Sequence, residues 1–344
     1  MAGDRPAKSG STFGDMALFV RAFQISKMLQ VAAALDLAMR IGADARPIAE
    51  LAHEAGADPS MLLRLIRALA AFGIFAADAE GKVSHTERSL TLRRDANPTL
   101  HHAALYWTTP GNWAAWEKLE HTVRTGEPAF EAVFGMANFD YLKTHPEEAF
   151  AFDRFMQHSP DDRHEAVAEA YDFSGARRIV DVGDGNGAFL SALLAKYREM
   201  RATLFDSDAV VAGAGAVLGP WAARCDVEAG DFFGSVPEGG DMYALSQILH
   251  DWNDACCLKI LANCRAAMGP QSRLIVIERV LDDTTSRNNP MNHLSDMDMM
   301  VLFPGAKERT LEEYGRLFAA SGFCEPRLIP TRSPFSIIET RPKG

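Results

Sequence analysis

Apolar residues recur at helical spacing from Phe13 to about Gly42, with Phe19, Phe23, Met28, Val31, Leu35 and Leu37 on overlapping faces. Shorter helical stretches follow. Pro47 stands where a first turn would begin, ahead of IAELAHEAG, and Asp58-Pro59-Ser60 opens MLLRLIRALAAFG. GIFAADAEGKVSHT then reads as a small hairpin turning at Glu80-Gly81. Helix, helix, helix and hairpin in that order spell a winged-helix unit over residues 13–98, preceded by a polar, disordered tail at 1–12. Residues 99–170 stay helical and carry a run of aromatics from Tyr106 to Phe155, most of them expected in the core, with a minority lining a flat apolar pocket.

After Phe173-Ser174-Gly175 the pattern changes. RRIVDVG, ATLFD, DMYALSQIL, SRLIVIERVL and SPFSIIETRP read as strands, and AFLSALLAKY, ACCLKILANCRAAM and TLEEYGRLFAASG as helices. Short β-branched runs alternating with amphipathic helices imply an α/β domain over residues 171–344, a Rossmann-like, mostly parallel, doubly wound sheet. Ligands of such sheets bind beyond the carboxyl ends of the strands.

Composition narrows the function. The 344 residues are 47% apolar and 24% charged, with a net charge of −11. That balance repels phosphate backbones and anionic lipid heads, so neither nucleic acid nor a membrane surface is an expected partner. A winged helix often binds DNA, but MLLRLIRALAAFG carries only Arg64 and Arg67 as charges on a broad apolar surface. Such a surface suits another protein, and a dimerisation role is expected. No apolar run approaches the roughly 20 residues that span a bilayer. The opening MAGDRPAKSGST has no apolar core before a cleavage site, so a cytoplasmic location is expected. Cys225, Cys256, Cys257, Cys264 and Cys324 are odd in number and irregular in spacing, which predicts reduced thiols and no zinc site.

The chemistry gathers at the predicted strand ends. Ile179-Val180-Asp181-Val182 leads into Gly183-Asp184-Gly185-Asn186-Gly187, where glycines let backbone approach a ligand and the helix near Ala188 offers free N–H groups. The loop also satisfies G-x-G-x-x-A, so a nicotinamide-dependent oxidoreductase stays open beside a user of S-adenosylmethionine. Asp181 suits a loop near a ligand's ammonium group, and Asp206, at the end of ATLFD, suits ribose hydroxyls in either reading. Asp231 and Phe232, in GDFF, could bond and cover an adenine. His250, in LSQILHDW, falls at a strand end over the crevice, with Glu278 and Glu308 on neighbouring elements to flank it. A carboxylate on an imidazole N–H fixes the tautomer and raises basicity, as deprotonating a phenol requires.

In order and spacing, VDVGDGNG, LFDSDAVV, GDFF, LHDWND, IERVL and FPGAKERTLEEY resemble the plant and bacterial small-molecule O-methyltransferases that methylate caffeate, isoflavones and polyketides. The winged-helix segment resembles that family's dimerisation domain, so the likeness covers the chain from about residue 13. It implies S-adenosylmethionine as methyl donor, a hydroxylated and aromatic small-molecule acceptor, no metal, and a homodimer formed through the N-terminal domain. Carried over by residue, it makes His250 the general base bracketed by Glu278 and Glu308. Gly183, Asp206, Asp231, Phe232 and Ser246 would hold the donor. Phe155 and Met156 match a helix that covers the acceptor, and Trp252, Asp296, Met297, Met300 and Phe303 fall on the pocket-lining stretch. Phe303 stands where plant members often carry a substrate-binding asparagine, which points away from a phenylpropanoid acceptor. Some bacterial relatives have replaced methyl transfer with decarboxylation or hydroxylation.

Overall fold

In the computed structural model, which describes residues 12–157, 163–183, 185–282 and 289–344, the helical periodicity that opens the chain is broken twice. Arg21 separates the helix Thr12–Val20 from Ala22–Ala34, and Asp36, at φ +53°, turns the chain into Leu37–Ile41. The predicted tail at 1–12 lies outside the described residues except for Thr12, which is helical. Asp58 caps Pro59–Ala71 by accepting from the Met61 N–H at 2.9 Å, with Pro59 in the first turn, where its missing N–H costs nothing. Pro47 differs from expectation. It precedes the helix Ile48–Ala55 and belongs to strand β1 (Arg46–Pro47). The hairpin strands β2 (Phe75–Ala77) and β3 (Lys82–His85) join β1 in an antiparallel sheet ordered β1-β3-β2. Leu37, Leu51, Ile66, Leu69 and Val83 form the solvent-free centre beneath them.

Two units divide the chain: Met1–Ala114 with Leu142–Pro160, and Ala115–Tyr141 with Asp161–Gly344. The segment 99–170 is therefore shared between them. Of its aromatics, Tyr106, Phe130 and Tyr141 are buried, while Trp107, Phe139 and Phe150 are exposed and the rest lie between. The expectation of a mostly buried aromatic set fails in the single chain.

In the second unit, β4 (Arg178–Val182), β5 (Arg201–Asp206), β6 (Cys225–Ala229), β7 (Met242–Ser246) and β8 (Arg273–Glu278) are parallel neighbours. SRLIVIERVL is not one strand: it breaks at Arg279, and β9 (Val280–Leu281) turns away to pair with β10 (Arg309–Thr310). β11 (Arg327–Pro330), which the sequence pattern did not mark, and β12 (Ser336–Thr340) complete the large sheet, β12 pairing antiparallel with both β8 and β11, in the order β11-β12-β8-β7-β4-β5-β6. Alternate residues serve opposite faces: Ile179, Met242, Ala244, Ile275 and Ile277 in one apolar layer, Val180, Tyr243, Leu245, Leu274 and Val276 in the other. Burial on both faces is why these strands read as continuous apolar runs. The strand order reverses between β4 and β7, which opens a crevice at their carboxyl ends.

Candidate active site

β4 ends at Val182 and the chain enters Gly183 at φ +89°, in the left-handed region that favours glycine. Space imposes the same choice, since a Cβ here would lie 2.7 Å from Ile248 Cδ1 and 3.3 Å from Phe232 Cε1. Asp181 is fully buried in the same strand. Asp206, at the end of β5, accepts from the Gly185 N–H at 3.0 Å and from the Ser207 N–H at 2.6 Å. Its carboxylate thus braces the glycine loop. Asp184 lies outside the described residues.

Beyond β6, Asp231 accepts from the Phe233 N–H at 2.8 Å, and Asn263 Nδ2 holds the Phe232 carbonyl at 2.8 Å. Phe232 and Phe233 pack with ring centroids 5.0 Å apart, and Trp252 meets Phe233 edge-on at 4.7 Å. Trp252, expected on the pocket-lining stretch, thus packs with Phe232 and Phe233. Ser246 ends β7 at 2% exposure, and its Oγ has no hydrogen-bond partner among the described residues. A buried hydroxyl left so costs about 1–3 kcal/mol. That orphan, together with a glycine that admits no side chain, fits a donor molecule seated against the ends of β4 and β7.

His250 was expected at the end of a strand, but β7 stops at Ser246. Gln247, at φ +54°, ends the ladder, and Leu249–Asp251 forms a short 3₁₀ turn. Glu278 is the reason. Fully buried at the end of β8, its Oε1 accepts from the N–H groups of Ile248 at 3.1 Å, Leu249 at 2.9 Å and His250 at 3.4 Å. Backbone donors converging on one carboxylate oxygen cannot also extend a strand. The other oxygen, Oε2, lies 2.7 Å from His250 Nδ1. That bond leaves Nε2 as the ring nitrogen available to a further partner.

Nε2 meets a residue that sequence reasoning missed, Asp251, whose Oδ1 is 3.2 Å away. Burial works to lower the imidazole, but Glu278 and then Asp251 outweigh it, and His250 titrates well above its ordinary value. Glu308 is 3% exposed; its Oε1 accepts from the Ser295 hydroxyl at 2.7 Å, and its Oε2 has no hydrogen-bond partner among the described residues. Burial lifts this carboxyl to about 7, against the attraction of His250. Donor atoms of His250, Glu278 and Glu308 all lie within 4.8 Å of one another. By distance alone they could ligate a cation. Both oxygens of Glu278 are committed to the turn and the ring, which wires the cluster for proton exchange instead.

The pocket-lining stretch forms the helix Pro290–Leu302 with Phe303 at its end. Asp296 accepts from the Glu308 N–H at 3.0 Å, so it also braces Glu308. Met297 and Met300 are half-buried, and Phe303 packs 5.3 Å from Phe139. On the same helix Asp298, also missed, accepts from Trp116 Nε1 at 3.1 Å, and burial pushes its carboxyl up to about 7. Phe155 and Met156 lie in the first unit, where Phe155 stacks on Tyr106 at 5.0 Å.

A doubly wound sheet, a glycine turn at its switch point and a carboxylate-backed histidine across that turn define a group-transfer enzyme that binds a nucleoside-bearing donor. Residues 116–324 match the family model described as an O-methyltransferase domain, and residues 18–95 match the O-methyltransferase dimerisation domain. The chain belongs to the O-methyltransferase family and uses S-adenosylmethionine. It is 38% identical over 325 residues to the phenazine O-methyltransferase of Lysobacter antibioticus, covering 94% of each chain. It is 38% identical over 348 residues to the O-demethylpuromycin O-methyltransferase of Streptomyces alboniger, covering 98% of this chain and 92% of that one. Among solved structures, an O-methyltransferase from neocarzinostatin biosynthesis, in complex with S-adenosylmethionine and 2-hydroxy-5-methyl naphthoic acid, superposes with a TM-score of 0.77 at 32% identity, covering 92% of this chain and 96% of that one. Neither the nicotinamide reading nor a loss of methyl transfer finds support in these likenesses. No helix among the described residues is long and apolar enough to cross a membrane.

Proposed function

We propose that the chain methylates a hydroxyl on a small aromatic metabolite, with His250 as general base. The observation that carries this reading is the 2.7 Å contact between His250 Nδ1 and the buried Glu278 at the edge of the crevice. When bound, S-adenosylmethionine supplies a methyl group on a positively charged sulfur, which is activation enough without a metal. Gly183 and Ser246 would face its amino acid portion, Asp206 its ribose, and Asp231 with Phe232 its adenine. In its neutral form, protonated at Nδ1, His250 takes the acceptor's hydroxyl proton on Nε2; Glu278 holds the ring and stabilises the imidazolium that forms, and Glu308, when ionised, adds negative charge behind it. Asp251 competes for Nε2 at rest, so an acceptor hydroxyl must displace or share that contact. Met297, Met300 and Phe303 would shape the acceptor pocket, and most of the rate comes from holding donor and hydroxyl in line. Relatives named for phenazine and naphthoate substrates support a flat, fused-ring acceptor.

A cytoplasmic homodimer completes the proposal, residues 13–98 serving as the dimerisation domain and 171–344 as the catalytic one. Its support is the dimerisation-domain match and the apolar helix Thr12–Val20, which buries nothing and leaves Phe13 83% and Phe19 73% exposed. Light scattering at micromolar concentration should return twice the chain mass. The catalytic reading is tested with His250→Ala and a panel of hydroxylated aromatics under labelled donor. Turnover should fall about 10²–10⁴-fold with donor affinity intact. Unchanged turnover would remove His250 from the mechanism.

A further inference from the structure

We propose that Arg309 is a positioning residue for the histidine, holding the turn on both sides of His250 from the face opposite Glu278. The inference rests on His250 being the base. Arg309 is fully buried, and its guanidinium donates to the Leu249 carbonyl at 2.7 Å and the Trp252 carbonyl at 2.7 Å. It is neutralised by Asp254 Oδ1, 2.8 Å from Nη2 and 3.2 Å from Nε. A third carbonyl, that of Lys307, lies 3.3 Å from Nη1, and the Lys307 N–H itself donates to the His250 carbonyl at 2.9 Å. One short turn is thus gripped by its N–H groups through Glu278 and by its carbonyls through Arg309. The two grips share a frame, because β9 begins one residue beyond Arg279, which follows Glu278, and pairs Val280 with Arg309 in β10.

The planar fork is what makes the grip specific. Carbonyls at 249 and 252 point at different guanidinium nitrogens while Asp254 takes the remaining edge, a geometry that a single ammonium cannot span. A buried cation with this many backbone acceptors is more than core filling: it determines the path of residues 249–252 and so the direction of the imidazole. Loosening it by about 1 Å should cost on the order of 10²-fold in turnover, without touching the donor-side loop.

The test compares Arg309→Lys with the wild type in full-length enzyme, using kcat, KM for each substrate, the pH–rate profile and calorimetric binding of S-adenosylhomocysteine. Arg309→Lys should lower kcat about 10–100-fold and move the acid limb of the profile to lower pH, as the His250–Glu278 pair loosens. S-adenosylhomocysteine affinity should stay within about twofold, since the donor-side loop keeps its geometry. The same substitution in a His250→Ala background should change the residual rate by less than about twofold, because the residue it positions is gone. A full loss persisting in that background, or an unchanged kcat and profile in the single variant, overturns the proposal. A His250→Ala enzyme as active as wild type would overturn the base assignment, and this inference with it. Should Arg309→Lys fail to fold, Asp254→Asn decides. Its side chain is 57% exposed, and losing its charge should lower kcat about 3–10-fold with the same dependence on His250; no change in kcat there overturns the proposal too.

Discussion

Replacing Glu278 with Gln isolates the charge behind the histidine while keeping the side chain's shape. In the wild type, imidazolium and carboxylate meet at 2.7 Å, and at an effective dielectric of about 20 that attraction is about 6 kcal/mol. Burial of His250 takes back a large part of it, yet the balance still leaves the ring well above its ordinary value. Gln removes that attraction and leaves the burial opposed by Asp251 alone, so the imidazole titrates lower than in the wild type. The amide oxygen can still accept the N–H groups of Ile248, Leu249 and His250, which keeps the turn folded at a loss of about 2 kcal/mol as charge-assisted bonds become neutral. The amide –NH₂ then faces Nδ1 and favours the tautomer protonated at Nε2, the wrong one for a base. Turnover should drop by about 10²–10⁴-fold, with the acid limb displaced to lower pH and S-adenosylhomocysteine affinity retained. The assay is a pH–rate profile with labelled donor, backed by calorimetry and a thermal melt. Unaltered turnover with an unmoved limb in a folded Glu278→Gln enzyme would refute the reasoning.

Glu308→Gln tests the other buried acid through stability. Its carboxyl sits at about 7 in the fold and near 4.5 when unfolded, so the folded state holds the proton more tightly. Stability is therefore undiminished below about 4.5 and falls as pH rises towards 7. Glu308→Gln should flatten that fall and gain about 1–3 kcal/mol at pH 8 in denaturant titrations, while losing activity; a wild type whose stability rises from pH 5 to 7, or a variant no more stable at pH 8, contradicts this. His250, raised in the fold, adds stability that is fully present below its unfolded value near 6.5 and lost as pH climbs through its folded one. Gly183→Ala should weaken S-adenosylhomocysteine binding at least tenfold, because its Cβ would displace Ile248 and strain a backbone at φ +89°; unweakened binding by calorimetry would count against the donor cradle. Ser246→Ala should leave the ligand-free enzyme as stable or slightly more so, by up to about 1 kcal/mol, and still bind S-adenosylhomocysteine less tightly. Equal affinity would mean that the hydroxyl does not meet the donor.

Much of this protein could be read along the chain. The Asp58 cap, the Gly81 turn, the alternating faces of β4, β7 and β8 and the glycine turn after Val182 all follow from rules acting over a few residues, where propensity, period and φ decide. The positions of the acids, at the ends of predicted strands, were legible for the same reason. What tertiary structure alone decided is the wiring at the far ends of side chains. Glu278 stops β7 early by collecting three N–H groups, Arg309 grips the carbonyls of a turn 60 positions away, and Asp206 braces the loop it was expected only to face. Such bonds depend on which strand becomes whose neighbour, and that is chosen by burying two apolar faces at once. A local pattern marks where a residue stands on its own element, and only the folded sheet brings another element's carboxylate within 3 Å of it.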